Sequence, residues 1–340
     1  MPISLGEIAE LSTALGTVAP RLGPALRRCP HQLRNVSAQK WAALREAYED
    51  GSAAEVFEAA FANGRHLLEA EDGLRGRAPA LVEWKGPHRL PGDDAIPIDL
   101  RIDHVYLVSC KYLSKIVLNS GPARLFDRGL VGDERSAEDW FDVVAPEQLQ
   151  AFYDAVVTAT GLEGLPGSVR ALTREHRDAL RIALASRRLP PGCSDAWATL
   201  CAAVSTTSAQ RWRASLPTTR SRLEMLWRMT RIAAATYFVL GASRADPIRL
   251  RVGSKWDWLQ EFELRAFDVE ARRAGQPEVA WEANVRRRDD RATRVVRGHV
   301  EIRWSHGRFG GFPEAKVYLD VPHDAVPGYH QLEEPELRLL

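Results

Sequence analysis

Residues 96–112, IPIDLRIDHVYLVSCKY, hold two runs rich in branched and aromatic side chains, Ile96–Asp103 and Val105–Leu113. Little more than Asp103-His104 separates them, so the segment reads as an antiparallel β-hairpin. Side chains alternate across a strand, which puts Ser109 and Lys111 on one face, with Asp99 on the neighbouring strand. Working outward, Ala80–Trp84 reads as a short strand after a Gly/Arg turn at 73–77. Before it, Val56, Phe57, Ala60, Phe61, Leu67 and Leu68 recur at helical spacing, with Ser52 and Glu55 as a capping box. A helix to about Glu71 followed by three strands begins an α+β core.

The segment is similar to the PD-(D/E)XK nuclease superfamily over roughly Ser52–Asn119. Pro97-Ile98-Asp99 stands where that family has its Pro-Asp element, and Ser109-Cys110-Lys111 where it has acid-x-Lys on the paired strand. The resemblance implies a restriction-endonuclease-like core of helix, three-stranded mixed sheet, helix and strand, set in an α+β or mixed α/β protein. It implies that Asp99 ligates Mg²⁺ or Mn²⁺, that the Cys110 carbonyl adds a ligand, and that Lys111 orients or activates the attacking water. The departure is Ser109, a hydroxyl in place of a carboxylate. Glu69 or Glu71 on the helix, Glu83 on the first strand, or Asp103 could compensate, and Glu83 and Asp103 are favoured.

The chemistry explains the residue types. Phosphodiester hydrolysis benefits from a divalent ion that polarises phosphate and makes hydroxide from water. Mg²⁺ is commonly held by one or two carboxylates, with waters and substrate phosphate completing its octahedron. Lysine is scarce, six residues against 40 arginines, yet two lysines, Lys111 and Lys115, fall on this hairpin. A second acid-x-Lys at Glu314-Ala315-Lys316, with Glu301 upstream and His299 and His306 nearby, is an alternative site.

Helices are expected over about 137–161 and 168–184, and most clearly over Arg220–Leu240, where Leu223, Leu226, Trp227, Ala234, Tyr237 and Leu240 share a face. Ile248–Val252 reads as a strand that could complete the catalytic sheet. Runs at Phe262–Glu270, Val279–Arg286, Arg294–Trp304 and Ala315–Asp320 alternate as a β-meander. The chain divides into an N-terminal helical segment (1–50), a nuclease-like core (51–126), an Arg-rich helical region (127–246), a β-rich region (247–330) and a tail (331–340).

A net charge of +1 conceals an asymmetry. Residues 40–163 carry 13 Lys or Arg against 22 Asp or Glu, and residues 164–251 carry 15 Arg against 5 acids. Acid beside base fits a metal site next to a polyanion-binding surface. Arg211, Arg213, Arg220, Arg228 and Arg231 would contact DNA phosphates, with Arg287 at a hairpin tip; RNA is not excluded. No apolar run approaches the length of a membrane span and no secretory signal is expected, so a cytoplasmic protein with reduced, scattered cysteines is expected. P-loop, G-x-G-x-x-G, G-x-S-x-G and H-E-x-x-H motifs are missing. The reading is a metal-dependent DNA endonuclease of restriction, phage defence or repair, with dimerisation implied by the resemblance. Its rival is a non-catalytic nucleic-acid-binding or scaffold subunit.

Overall fold

Hydrophobic periodicity in the first seventy residues is realised as helices. A computed structural model describes residues 3–86, 96–112, 116–127, 139–186, 188–243, 246–273 and 275–333. In chain order the first elements are α1 (Leu5–Val18), α2 (Leu22–Arg27), β1 (Leu33–Arg34), α3 (Ala38–Asp50), α4 (Ala54–Glu69), β2 (Val82–Trp84), β3 (Leu100–Ile102) and β4 (Tyr106–Tyr112). There follow β5 (Ile116–Ser120), α5 (Pro122–Phe126), α6 (Trp140–Val144), α7 (Pro146–Thr160), a 3-10 turn at Val169–Ala171, α8 (Arg174–Ala183), α9 (Ser194–Ser215) and α10 (Thr219–Met229). The remainder is β6 (Tyr237–Ser243), β7 (Asp246–Val252), α11 (Lys255–Glu261), β8 (Phe262–Arg273), β9 (Pro277–Arg287), β10 (Thr293–Arg303), β11 (Glu314–Leu319), a 3-10 turn at His323–Ala325 and β12 (Tyr329–Gln331). The protein is thus α+β in class, and no described helix is long and apolar enough to cross a membrane.

Two compact units result, and each is discontinuous in sequence. Unit 1 comprises Met1–Ser114, Arg231–Glu261 and Pro322–Leu340; unit 2 comprises Lys115–Thr230 and Phe262–Val321. These units do not follow the contiguous segments read from composition. The N-terminal helices join the hairpin in unit 1, and the chain returns there after α10 for β6 and β7.

In unit 1 the strands lie in the order β1-β2-β3-β4-β6-β7-β12. β2, β3 and β4 form an antiparallel meander, β6 lies parallel to β4, and β7 runs antiparallel to β6. Val82, Trp84, Leu100, Ile102, Val108, Phe238 and Leu240 point to one face and pack against α1 and α4. Two glycines let these helices touch. A Cβ on Gly64 would sit 2.1 Å from the Thr13 carbonyl oxygen, and one on Gly16 would sit 2.2 Å from that of Phe61.

Below α4, the buried Asn63 clamps three strands at once. Its amide donates to the Tyr112 hydroxyl and to the Gly241 carbonyl, each at 2.8 Å, while its oxygen accepts from Arg249 Nε at 2.9 Å. Arg249 also meets His66 Nδ1 at 3.1 Å. Helix, hairpin and the returning strands β6 and β7 are therefore locked by one polar network.

Unit 2 holds an antiparallel sheet ordered β5-β11-β10-β9-β8, so the C-terminal runs do form a meander. Trp140, Trp212, Phe267 and Trp281 build an aromatic core where α9 covers β8 and β9. The expected helix Arg220–Leu240 is corrected: α10 stops at Met229, Arg231 adopts φ +58°, and Tyr237–Leu240 pair as strand β6. Near α4 the capping box on Ser52 does not form, because Ala53 is the N-cap and its side chain makes no capping bond.

Candidate functional site

β4 outruns β3, and that mismatch builds the site. The Asp99 amide donates to the Val108 carbonyl at 2.8 Å, the first backbone bond of the hairpin, so residue 110 also turns its N–H and C=O toward the β3 side. There β3 has ended. The Asp99 carboxylate takes the place of a backbone partner, with Oδ2 accepting from the Cys110 N–H at 2.6 Å and from Ser109 Oγ at 3.4 Å. Asp99 is 9 % exposed and Ser109 is fully buried. The Cys110 carbonyl lies on this same side of β4, by the alternation of strand carbonyls.

Leu100 opposes Val108 at the end of the paired register, and the contact of Ser109 Oγ with Asp99 Oδ2 puts the carboxylate on the face of β4 that Ser109 shares with Lys111. Lys85 N–H donates to the Asp99 carbonyl at 2.9 Å, so Lys85 is the cross-strand neighbour of Asp99 on β2's side. Lys111 is paired in register with Gly241 of β6, where an added Cβ would sit 2.0 Å from the Lys111 carbonyl oxygen. Gly241 thus allows β6 to approach β4 at the level of the lysine. Beyond it, His323 feels Lys111: burial pulls the imidazole below its usual range and the ammonium pulls it further.

The thiol of Cys110 points to the helical side. Burial pushes it well above the usual cysteine range, and the negative charges of Asp99 and Glu10 push it further. Glu10 lies on α1, where its Oε2 accepts from Trp84 Nε1 at 2.6 Å on the helical face of the sheet, and its charge is felt at the Cys110 thiol.

The two favoured supporting acids are employed elsewhere. Asp103 adopts φ +47° in the hairpin turn at the opposite end of β3 from Asp99, and its Oδ1 accepts from the amides of Ala80 and Leu81 at 2.9 and 3.0 Å. Glu83 shares the face of Asp99 but is held in a fork by Arg101, at 2.6 and 2.9 Å. That pairing draws the Glu83 carboxyl below its ordinary range, with the Arg101 hydrogen bonds as the largest cause. Glu69 pairs with Arg65 one helical turn back. Among the described residues no three His, Cys, Asp or Glu side chains gather as a ready-made cation cage. Asp99 and the Cys110 carbonyl remain compatible with an ion that completes its shell with waters and a phosphate.

No protein-family model, curated protein or solved structure matches this chain.

The arginines expected to face DNA are dispersed. Arg211 reaches Asp127 at 2.7 Å and lies over Trp140, Arg213 donates to the Val269 carbonyl at 2.9 Å, and Arg228 donates to the Arg124 carbonyl at 3.0 Å. Arg220 is exposed on α10, Arg287 pairs with Asp289 at 2.6 Å, and Arg231 belongs to unit 1 rather than to the helical region. Internal carbonyls and acids thus take up several guanidinium groups that composition suggested for phosphate. Lys115 lies outside the described residues.

The alternative acid-x-Lys sits on β11 of unit 2. Lys316 opposes Glu301 and approaches Glu314 at 3.5 Å, while Glu314 accepts from Asn119 and Ser305 and Glu301 pairs with Arg303. His299 binds Asp320 at 2.6 Å. These groups neutralise one another across a meander. The four cysteines are all free thiols.

Proposed function

We propose that the chain is a metal-dependent nuclease that hydrolyses DNA phosphodiester bonds at Asp99 and Lys111, on a restriction-endonuclease-like core. One observation carries the reading: an Asp at the mouth of a hairpin shares a sheet face with Ser109 and Lys111 on the next strand, and that strand is joined in parallel by a returning one. In support of the reading, helix α4 precedes the antiparallel β2-β3-β4, and β6 joins β4 in parallel.

Asp99 and the Cys110 carbonyl would hold Mg²⁺ or Mn²⁺, which when bound supplies Lewis-acid polarisation of the phosphate and a metal-activated water. Asp99 is pre-set for this by the Cys110 N–H, a backbone donor that fixes its carboxylate, with Ser109 Oγ beside it. Lys111 places an ammonium two residues along the same strand face, where it can balance charge that builds on a non-bridging phosphate oxygen. Restriction, phage defence and repair are the settings in which such chemistry would serve, in the cytoplasm and as a homodimer if two strands are cut.

A second reading has its own support. The bonds from Cys110 and Ser109 to Asp99 give that carboxylate a structural task, and residue 109 supplies no acid, as in a nucleic-acid-binding or scaffold subunit with a spent site. The two part in one assay. Plasmid and single-stranded DNA are incubated with wild type, Asp99→Ala and Lys111→Ala in Mg²⁺, Mn²⁺ or EDTA. Cleavage that needs metal and is lost in both variants supports the nuclease; salt-sensitive binding without cleavage supports the scaffold.

A further inference from the structure

Unit 2 contains a cavity of about 430 Å³ between helix α8 and the turn Gly307–Gly311. Arg174, Arg177 and Arg181 line it from one stripe of the helix, since positions i, i+3 and i+7 fall on the same face. Asp178 is the one acid in the lining and accepts from Arg181 Nε at 3.3 Å, while Arg177 approaches Asp139 at 3.9 Å from outside it, so the arginines of the lining still outnumber its acids, and His306 adds a ring nitrogen. Such an excess of forked donors in a concave site suits a phosphate, which guanidinium binds bidentately.

The opposite wall is built from glycine. A Cβ on Gly307 or Gly310 would sit 2.9 Å from the Arg181 side chain, so the turn can lie against the arginine stem only without side chains there. Gly311 adopts φ +143° and would present an added Cβ to open space. Helix α8 is held firmly: Thr173 and His176 form a capping box, Leu180 is buried, and Arg177 donates to the Phe309 carbonyl at 3.4 Å. The arginines are therefore carried on a fixed scaffold.

Beside the cavity stands an aromatic ring. Phe312 follows Gly311, is 47 % exposed, and has the Arg177 guanidinium over its ring at 5.7 Å from the centroid. Basic groups next to an exposed aromatic are the pairing that recognises an unstacked nucleotide, phosphate on the arginines and base on the ring. The volume falls within the range of small-ligand sites, ~300–1,000 Å³.

We propose that this cavity binds the phosphate of a nucleotide unit, with Phe312 stacking its base. The phosphate could arrive on a free mononucleotide or within a single strand. The site is separate from Asp99 and Lys111, and its occupancy requires no cleavage. The full chain in EDTA is titrated against a fluorescent single-stranded hexanucleotide by anisotropy, with adenosine monophosphate and inorganic phosphate as competitors. Arg174→Ala/Arg181→Ala should weaken binding at least tenfold, and Phe312→Ala about 5-fold or more for base-bearing ligands. Phe312→Ala should leave competition by inorganic phosphate unchanged. Competition by the mononucleotide identifies a free nucleotide as the ligand; binding of the hexamer alone identifies the strand. Arg174→Glu, a single exposed change, serves if the double variant fails to fold. Absence of saturable binding for both ligands, or equal binding by wild type and the arginine variants, overturns the proposal. Binding is read in EDTA and plasmid cleavage is read separately in Mg²⁺ on the arginine variants, which leave Asp99 and Lys111 intact, so failure here and failure of the nuclease reading are told apart.

Discussion

Replacing Asn63 with Ala removes the clamp that joins α4 to β4, β6 and β7. Three hydrogen bonds disappear: two from the amide to the neutral acceptors Tyr112 Oη and Gly241 O, and one accepted from the Arg249 guanidinium. Neutral bonds contribute about 1 kcal/mol each and a bond to a charged group about 1.5–3 kcal/mol, so the expected cost is about 3–5 kcal/mol. At about 2–4 °C per kcal/mol for a unit of this size, the melting temperature should fall by the order of 10 °C. Differential scanning calorimetry and urea melts measure it. A double-mutant cycle with Arg249→Met should recover about 1 kcal/mol or more, because the arginine loses its Asn63 partner in either single variant. A loss below about 1 kcal/mol, or strict additivity with Arg249→Met, refutes the idea that one network holds the returning strands to the hairpin.

Gly64→Ala should destabilise by about 3 kcal/mol in denaturant melts, because the new methyl meets the Thr13 carbonyl at 2.1 Å and forces α1 from α4; an unchanged midpoint contradicts the helix contact. Glu83 has a folded-state pKa below its unfolded value, so its contribution is complete above the ordinary carboxylate range and is lost as pH falls through the depressed folded value. Glu83→Gln should therefore flatten the acid limb of the stability–pH curve, modestly because Arg101 is partly exposed; an identical limb argues against the pair. Cys110, raised by burial and by Asp99 and Glu10, should resist a thiol-specific reagent in native protein at pH 8 and react on unfolding, whereas fast native labelling at residue 110 contradicts its placement.

The hairpin was legible because two branched and aromatic runs flank Asp103-His104, and alternation alone then puts Ser109 and Lys111 on a common face, with Asp99 on the neighbouring strand. The C-terminal meander was legible for the same reason. β6 was not, since Ala234, Tyr237 and Leu240 continue the helical spacing of Leu223 and Leu226, and only the run Tyr237–Leu240 carries a β signal. The break falls where Arg231 takes a left-handed conformation, which no residue type there announces. The parallel pairing of β6 with β4 is long-range, and segment boundaries drawn along the chain cannot express a unit interrupted by another.

The partners of the supporting acids were not legible for a related reason. Asp103 and Glu83 are near Asp99 in sequence, yet Asp103 accepts from turn amides and Glu83 pairs with Arg101. The partners of the arginines were likewise not legible: carbonyls such as those of Val269 and Arg124 accept guanidinium donors, and sequence carries no signal of those long-range contacts.

Calorimetric titration of Mn²⁺ into wild type, Asp99→Asn and Lys111→Ala tests most directly whether the hairpin mouth is a metal centre. One site in wild type, lost in Asp99→Asn and retained in Lys111→Ala, is the predicted result. The same binding heat in wild type and Asp99→Asn, or none in wild type, would contradict it.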